Sequence, residues 1–270
     1  MSTLEPAALL ERIVDIARRA GEEILEVYAS QDAGARTKAD DSPVTLADLR
    51  AHSVIEGALQ ALTPEIPLLS EESAQLLPYE QRARWSRYWL VDPLDGTREF
   101  LARNGEFTVN IALIEAHAPT LGVVHVPVRK TTYAGLPGVG AWRRHGTAAA
   151  EPIHVQARAA SPVRVVGSKS HRGTSLDGLL AQLGPHELLS VGSSLKFCLI
   201  AEGTADLYPR LGPTSEWDTA AAQAVVCAAG GAVVKLDGTP LTYNAKAEIL
   251  NPHFLVYADR QRDWLALLKV

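Results

Sequence analysis

Apolar side chains return at helical spacing from Leu9 to Tyr28, through Leu10, Ile13, Val14, Ile16, Ala17, Ala20, Ile24 and Val27, with Glu11, Arg12, Arg18, Arg19, Glu22 and Glu23 between them. This predicts a long amphipathic helix. Residues 33–43 hold Gly34, Lys38, Asp40 and Asp41 and little apolar surface, which predicts a mobile loop. Thr45 stands three residues before Asp48, the spacing of a capped helix start, and the helical pattern then runs to about Leu62. A short extended piece, Ile66 to Ser70, delivers Glu71 and Glu72, and the polar stretch 73–84 is expected to wrap the surface. Tyr88-Trp89-Leu90-Val91 reads as a buried strand that ends on Asp92, turns at Pro93 and presents Asp95, Gly96 and Thr97 at the first turn of a helix.

Short apolar or alternating runs follow, Phe107 to Glu115, Leu121 to Pro127, Thr131 to Leu136 and Gly140 to Arg143, separated by turn residues as in an antiparallel meander. The pattern weakens over 148–160, the expected boundary between an N-terminal α+β lobe (1–155) and a C-terminal α/β lobe (156–270) of one continuous fold. Strand and helix patterns alternate from Val163 to Tyr257, which predicts a second sheet of mixed strand direction layered with helices. The fold class is therefore mixed α/β.

Composition narrows the functions such a fold can serve. The 270 residues are 47% hydrophobic, enough for a substantial core, and the formal net charge is -5. An acidic balance argues against a general nucleic-acid or membrane-surface binder and leaves a small phosphorylated ligand open. Cys198 and Cys227 lie in apolar stretches without ligand or framework spacing, which suits a reduced, cytoplasmic setting. The charged first turns do not form a secretory signal, and no apolar run reaches the ~20 residues of a membrane span. The histidines lack paired ligand spacing, so zinc is not expected, and no P-loop, nucleophile elbow or dinucleotide fingerprint is present.

The candidate chemistry centres on Asp92-Pro93-Leu94-Asp95-Gly96-Thr97. Two carboxylates across a tight turn can converge on hard divalent cations, while free amides at Gly96 and Thr97 can meet a phosphate oxygen. An isolated Asp-Gly is more often a turn or cap, and the combination after a buried strand is what shifts the balance toward a metal site. Glu71 closes a neighbouring hydrophobic strand and could share a cation with Asp92. Asp218, opening an alanine-rich helix, and Asp48, in its capping spacing, each have a structural explanation that spacing alone does not displace. Lys196 at the opening of an otherwise apolar helix, Arg210 at a strand end, and Ser168-Lys169-Ser170-His171 at another could form an anion pocket; scattered surface cations are the plainer alternative.

With these residues in view the chain resembles the inositol monophosphatase superfamily of magnesium-dependent, lithium-sensitive phosphatases. The resemblance rests on the hexapeptide, on Leu69-Ser70-Glu71-Glu72 and on Trp217-Asp218-Thr219-Ala220-Ala221. Residues 38–45, 104–113 and 192–198 are similar to the bacterial 3′(2′),5′-bisphosphate nucleotidase branch. The resemblance implies a layered α-β-α-β-α fold. It implies that Glu71, Asp92, the Leu94 carbonyl, Asp95 and Asp218 hold two magnesium ions, with a third left open at Asp40 or Asp41. It implies that Thr97, Asp48 and Glu71 position the attacking water, and that Asp95, Gly96, Thr97, His171, Ser193, Lys196, Arg210 and Asp218 contact substrate. The implied reaction is hydrolysis of the 3′-phosphate of adenosine 3′,5′-bisphosphate to AMP and phosphate, with the phosphosulfate as a further substrate and a place in sulfur metabolism. Inositol monophosphate or broad sugar-phosphate hydrolysis is the alternative within the reaction class. A non-catalytic scaffold is the alternative outside it, set against the intact acidic set. Nucleic-acid partners are not expected, oligomeric state is open, and the expected location is the cytoplasm or the cytoplasmic face of the inner membrane.

Overall fold

The computed structural model describes residues 4–30, 36–37, 43–74, 77–168 and 174–268. Helix α1 (Pro6–Ala29) starts on a proline, whose missing N–H costs nothing in a first turn, and buries Ile13, Ala17, Ala20 and Ile24. The short antiparallel pair β1 (Arg36–Thr37) and β2 (Pro43–Val44) leads into α2 (Leu46–Leu62), whose first turn is closed by Thr45 and Asp48 as their spacing predicts.

Strand β3 (Leu68–Ser70) comes next, then α3 (Tyr79–Arg82). The described residues of 73–84 are exposed or half-buried, as the expected surface wrap implies, with one exception. Arg82 is buried, and its guanidinium donates to the Asn244 side chain and to the Ala247 carbonyl oxygen, so this stretch is clamped to a distant loop. Strand β4 (Arg87–Asp95) leads into α4 (Thr97–Leu101). The meander follows as β5 (Thr108–Glu115), β6 (Ala118–Val126), β7 (Thr131–Leu136), β8 (Gly140–His145) and β9 (Glu151–Ile153). Strands β3 to β9 lie in chain order in one seven-stranded sheet, antiparallel except for the parallel β3–β4 pair.

The second half contributes β10 (Val163–Ser168), α5 (Thr174–Leu183), β11 (His186–Val191), α6 (Leu195–Ala201), β12 (Leu207–Arg210), α7 (Glu216–Ala228), β13 (Ala232–Lys235), β14 (Phe254–Tyr257) and α8 (Trp264–Leu268). Its five strands order as β11-β10-β12-β14-β13, parallel around β10 and antiparallel at β14, the mixed direction that the alternating pattern predicts.

Three apolar cores define five layers. The first joins α1 and α2 to one face of the large sheet through Trp89, Val91, Ile111 and Val123. The second fills the space between the sheets, with Leu90, Ala112 and Val124 on one side and Val166, Tyr208 and Phe254 on the other, around α6 and α7. The third packs α5 and α8 on the outer face of the small sheet. The order is thus α-β-α-β-α.

Helix α7 sits unusually close to the large sheet. Gly122 and Gly135 are paired neighbours on β6 and β7. A Cβ on Gly122 would fall 2.1 Å from the Ala221 carbonyl oxygen, and one on Gly135 2.7 Å from the Val225 Cα. Small residues on both sides let the helix backbone settle onto the strands, which fixes where its first turn, carrying Asp218, meets the sheet end.

Candidate active site

The decisive local feature is in β4, which does not turn at Pro93. It continues to Asp95, paired with β5 on both sides of a register shift: Asp92 is opposite Asn110 and Asp95 is opposite Thr108. Three steps on β4 therefore match two on β5, a β-bulge at Pro93-Leu94. Proline has no N–H to give to a ladder, so the irregularity falls where pairing is already impossible. The consequence is chemical. In a regular strand, residues three apart face opposite sides. The extra residue brings Asp95 back to the side of Asp92.

Glu71 arrives beside them because β3 runs parallel to β4, with Ser70 abreast of Val91 and the Glu71 N–H donating to the Val91 carbonyl oxygen at 3.1 Å. Asp218 comes from the third position of α7. Its Oδ2 accepts from the Ser215 N–H at 2.9 Å and from Thr214 Oγ1 at 2.7 Å, so the helix-start role read from sequence is present. It accounts for one oxygen only. Asp92, Asp95 and Asp218 each bring a carboxylate oxygen to within 4.8 Å of the others.

Burial, then the charges of Glu71, Asp95 and Asp218, hold the Asp92 carboxyl well above the usual carboxylate range. Burial and Asp95 push Asp218 up to about 7. Buried like charges at such separations repel strongly, and a bound cation or a proton must offset them. The donors are all carboxylate or carbonyl oxygens, with no histidine or cysteine in the cluster, so the set fits a hard divalent cation such as magnesium.

Around this cluster is a cleft of about 460 Å³ whose lining includes Glu71, Asp92, Leu94, Asp95, Gly96, Thr97, Ser193, Lys196, Arg210 and Asp218. Gly96 precedes α4 with φ 93°, a left-handed conformation that glycine adopts without strain, and Thr97 follows as the first helical residue. Thr97 Oγ1 lies 3.4 Å from Asp48 Oδ1. The other oxygen of Asp48 accepts from the N–H and hydroxyl of Thr45 at 2.8 and 2.6 Å. The capping role of Asp48 and its contact with Thr97 therefore coexist, one on each oxygen.

Lys196 is buried, where a lone lysine on a short helix would ordinarily face solvent. Its Nζ donates to the Ser193 carbonyl oxygen at 2.5 Å and lies over the Tyr208 ring at 5.6 Å. Burial lowers its pKa to about 8, with Asp95 opposing that fall. Arg210 donates to the Pro213 carbonyl oxygen, while its buried Nε has no partner among the described residues. Ser193 is held at φ 49°. His171, Lys169, Ser170, Lys38, Asp40 and Asp41, with most of the loop 33–43, lie outside the described residues.

Sequence reasoning passes over Ser194 and Asn110, which stand directly behind Asp95. A lone amide in the apolar run Thr108-Val109-Asn110-Ile111 was the available signal.

This fold and cleft place the chain in a class of phosphatases. The chain belongs to the inositol monophosphatase family, whose model matches residues 5–265. It is 50% identical over 249 residues to the 3′(2′),5′-bisphosphate nucleotidase CysQ of Escherichia coli K12, covering 92% of this chain and 99% of that protein. The CysQ of Buchnera aphidicola is 43% identical, with 89% of each chain covered. Among solved structures, CysQ from Bacteroides thetaiotaomicron superposes with a TM-score of 0.83 at 40% identity, covering 96% of this chain and all of that one. An inositol monophosphatase from Zymomonas mobilis shares the fold with a TM-score of 0.79 at 22% identity. No helix among the described residues is long and apolar enough to cross a membrane.

Proposed function

We propose that this protein is a magnesium-dependent 3′(2′),5′-bisphosphate nucleotidase that removes the 3′-phosphate of adenosine 3′,5′-bisphosphate, with the corresponding phosphosulfate as a second substrate. The observation that carries the substrate side is the buried ammonium of Lys196, placed with Arg210 on the cleft wall beside the carboxylates. A monophosphate needs only the charge that cations on the acidic cluster provide. A second phosphate needs its own partners, and a desolvated lysine beside an arginine suits it. The 50% identity to a protein named for this activity supports the same reading.

Glu71, Asp92, Asp95, Asp218 and the Leu94 carbonyl would hold the magnesium. When bound, it supplies the positive charge that a phosphate dianion and its attacking water require at neutral pH. Thr97 Oγ1 donates to Asp48 Oδ1, leaving its lone pairs free to accept a hydrogen bond from an incoming water; Glu71, at the same end of the sheet, orients that water from the other side. The water oxygen bonds to phosphorus as the bond to the 3′-oxygen breaks; the water sheds one proton to solvent, and the departing oxygen takes one from solvent to leave as the ribose hydroxyl. No side chain becomes phosphorylated.

The test is phosphate release from adenosine 3′,5′-bisphosphate, its phosphosulfate, inositol 1-phosphate and fructose 1,6-bisphosphate, measured for the native chain, Lys196→Ala and Arg210→Ala. The expected result is a preference for the adenosine bisphosphate that both substitutions reduce. Unchanged kcat/KM in both variants would remove the basis of the nucleotide assignment.

A further inference from the structure

Ser194 touches the acidic cluster from the second half of the chain. Its N–H donates to Asp95 Oδ2 at 2.5 Å, and its Oγ stands 2.6 Å from the same oxygen and 2.7 Å from the carbonyl oxygen of Asp218. Asn110 Nδ2 donates to that Oγ at 2.7 Å and reaches Asp95 Oδ2 at 3.5 Å. A hydroxyl has one proton to give. With Asn110 filling a lone pair, Ser194 Oγ must direct its proton to Asp95 or to the Asp218 carbonyl, whichever is the stronger acceptor at that moment. Asp95 Oδ2 is occupied by the Ser194 N–H in either case, which leaves Oδ1 as the oxygen free for a cation.

We propose that Ser194, oriented by Asn110, is a positioning residue that fixes Asp95 and the first turn of α7 relative to each other, so that carboxylates from two separate parts of the fold meet one cation at a set spacing. This rests on the metal-dependent reading above. Asp95 is on the large sheet and Asp218 on a helix that follows β12 of the small sheet; Ser194 bonds to both, and both it and Asn110 are almost fully buried. Asn110 sits across the ladder from Asp92, at the point where the bulge begins. The amide is thus placed by the same irregularity that places the carboxylates. Its nitrogen faces the Asp95 carboxylate, which can only accept, and the reverse rotamer would set a carbonyl oxygen against that carboxylate.

The test is calorimetric titration of magnesium into substrate-free protein. Groups that hold a metal ligand in place are typically worth about 10–100-fold in affinity. Ser194→Ala is expected to raise the magnesium Kd by about tenfold or more, and Ser194→Thr, which keeps the hydroxyl, to stay within about threefold of the native chain. Asn110→Ala is expected to weaken binding severalfold alone and less than about twofold in the Ser194→Ala background, because it acts through Ser194. Melting in EDTA checks that each variant folds. Native magnesium affinity in Ser194→Ala, with affinity lost in Asp95→Asn, overturns the positioning role. Absence of magnesium binding by the native chain instead overturns the metal-dependent reading on which it rests.

Discussion

Lys196 offers a direct measurement of what this cleft costs the fold. Its ammonium is removed from water, and its pKa falls from 10.5 to about 8. At about 1.4 kcal/mol for each tenfold change in proton affinity, holding the charged form in the folded protein costs about 3 kcal/mol at neutral pH. The direction follows from linkage. Between about 8 and 10.5 the unfolded chain binds the proton and the folded chain does not, so stability rises with pH across that window. Below about pH 8 the full penalty is present; above 10.5 it is gone. Lys196→Met removes the titrating group. It also leaves the Ser193 carbonyl without its donor, at about 1–3 kcal/mol, but that loss does not vary with pH. Urea denaturation of both proteins in EDTA, at intervals from pH 7 to 10.5, isolates the difference. The native chain should gain about 3 kcal/mol on the variant across the series. A stability difference that stays flat with pH would refute the assignment of a desolvated ammonium.

Other outcomes follow from the same geometry. Asp95→Asn should abolish measurable turnover while leaving the EDTA-state melting temperature within a few degrees, checked by phosphate release and circular dichroism. Because Asp92 is raised and Asp218 is pushed up to about 7, the metal-free site retains protons at neutral pH. On the proposed function magnesium would displace them, so its affinity should rise from pH 6 to 8 with proton release, seen by calorimetry in buffers of differing ionisation heat. Gly122→Ala should destabilise the chain by about 1–3 kcal/mol or more in urea, because its methyl meets the Ala221 carbonyl of α7.

Much of this architecture is legible in the chain. The helical period of α1, the Thr45–Asp48 start of α2 and the apolar strand ahead of Asp92 are local patterns, and the structure repeats them with small changes of boundary. The meeting of Glu71 with Asp92 follows from two hydrophobic strands ending on acids, once they pair in parallel. What sequence does not expose depends on long-range partners. Pro93 reads as a turn because turns and bulges share their residue preferences, and only the β5 pairing distinguishes them. Lys196 reads as a solvated residue because its burial comes from Tyr208 and the β11–α6 turn, and Arg82 reads as surface because its partners lie more than 160 residues away. Ser194 looks like one more small polar residue until Asp95 is placed beside it.

The bulge at Pro93-Leu94 carries a consequence for parity. On a strand, side is an odd-or-even property, and two acids separated by an odd number of steps share a face only if one step is spent off the ladder. Holding Pro93, Leu94 and Asp95 all on an unbroken β4–β5 ladder would instead send Asp95 toward the α1–α2 layer. The more regular sheet would be the one that cannot gather its carboxylates, so the proposed function ties this site to a defect in the strand ladder that carries it.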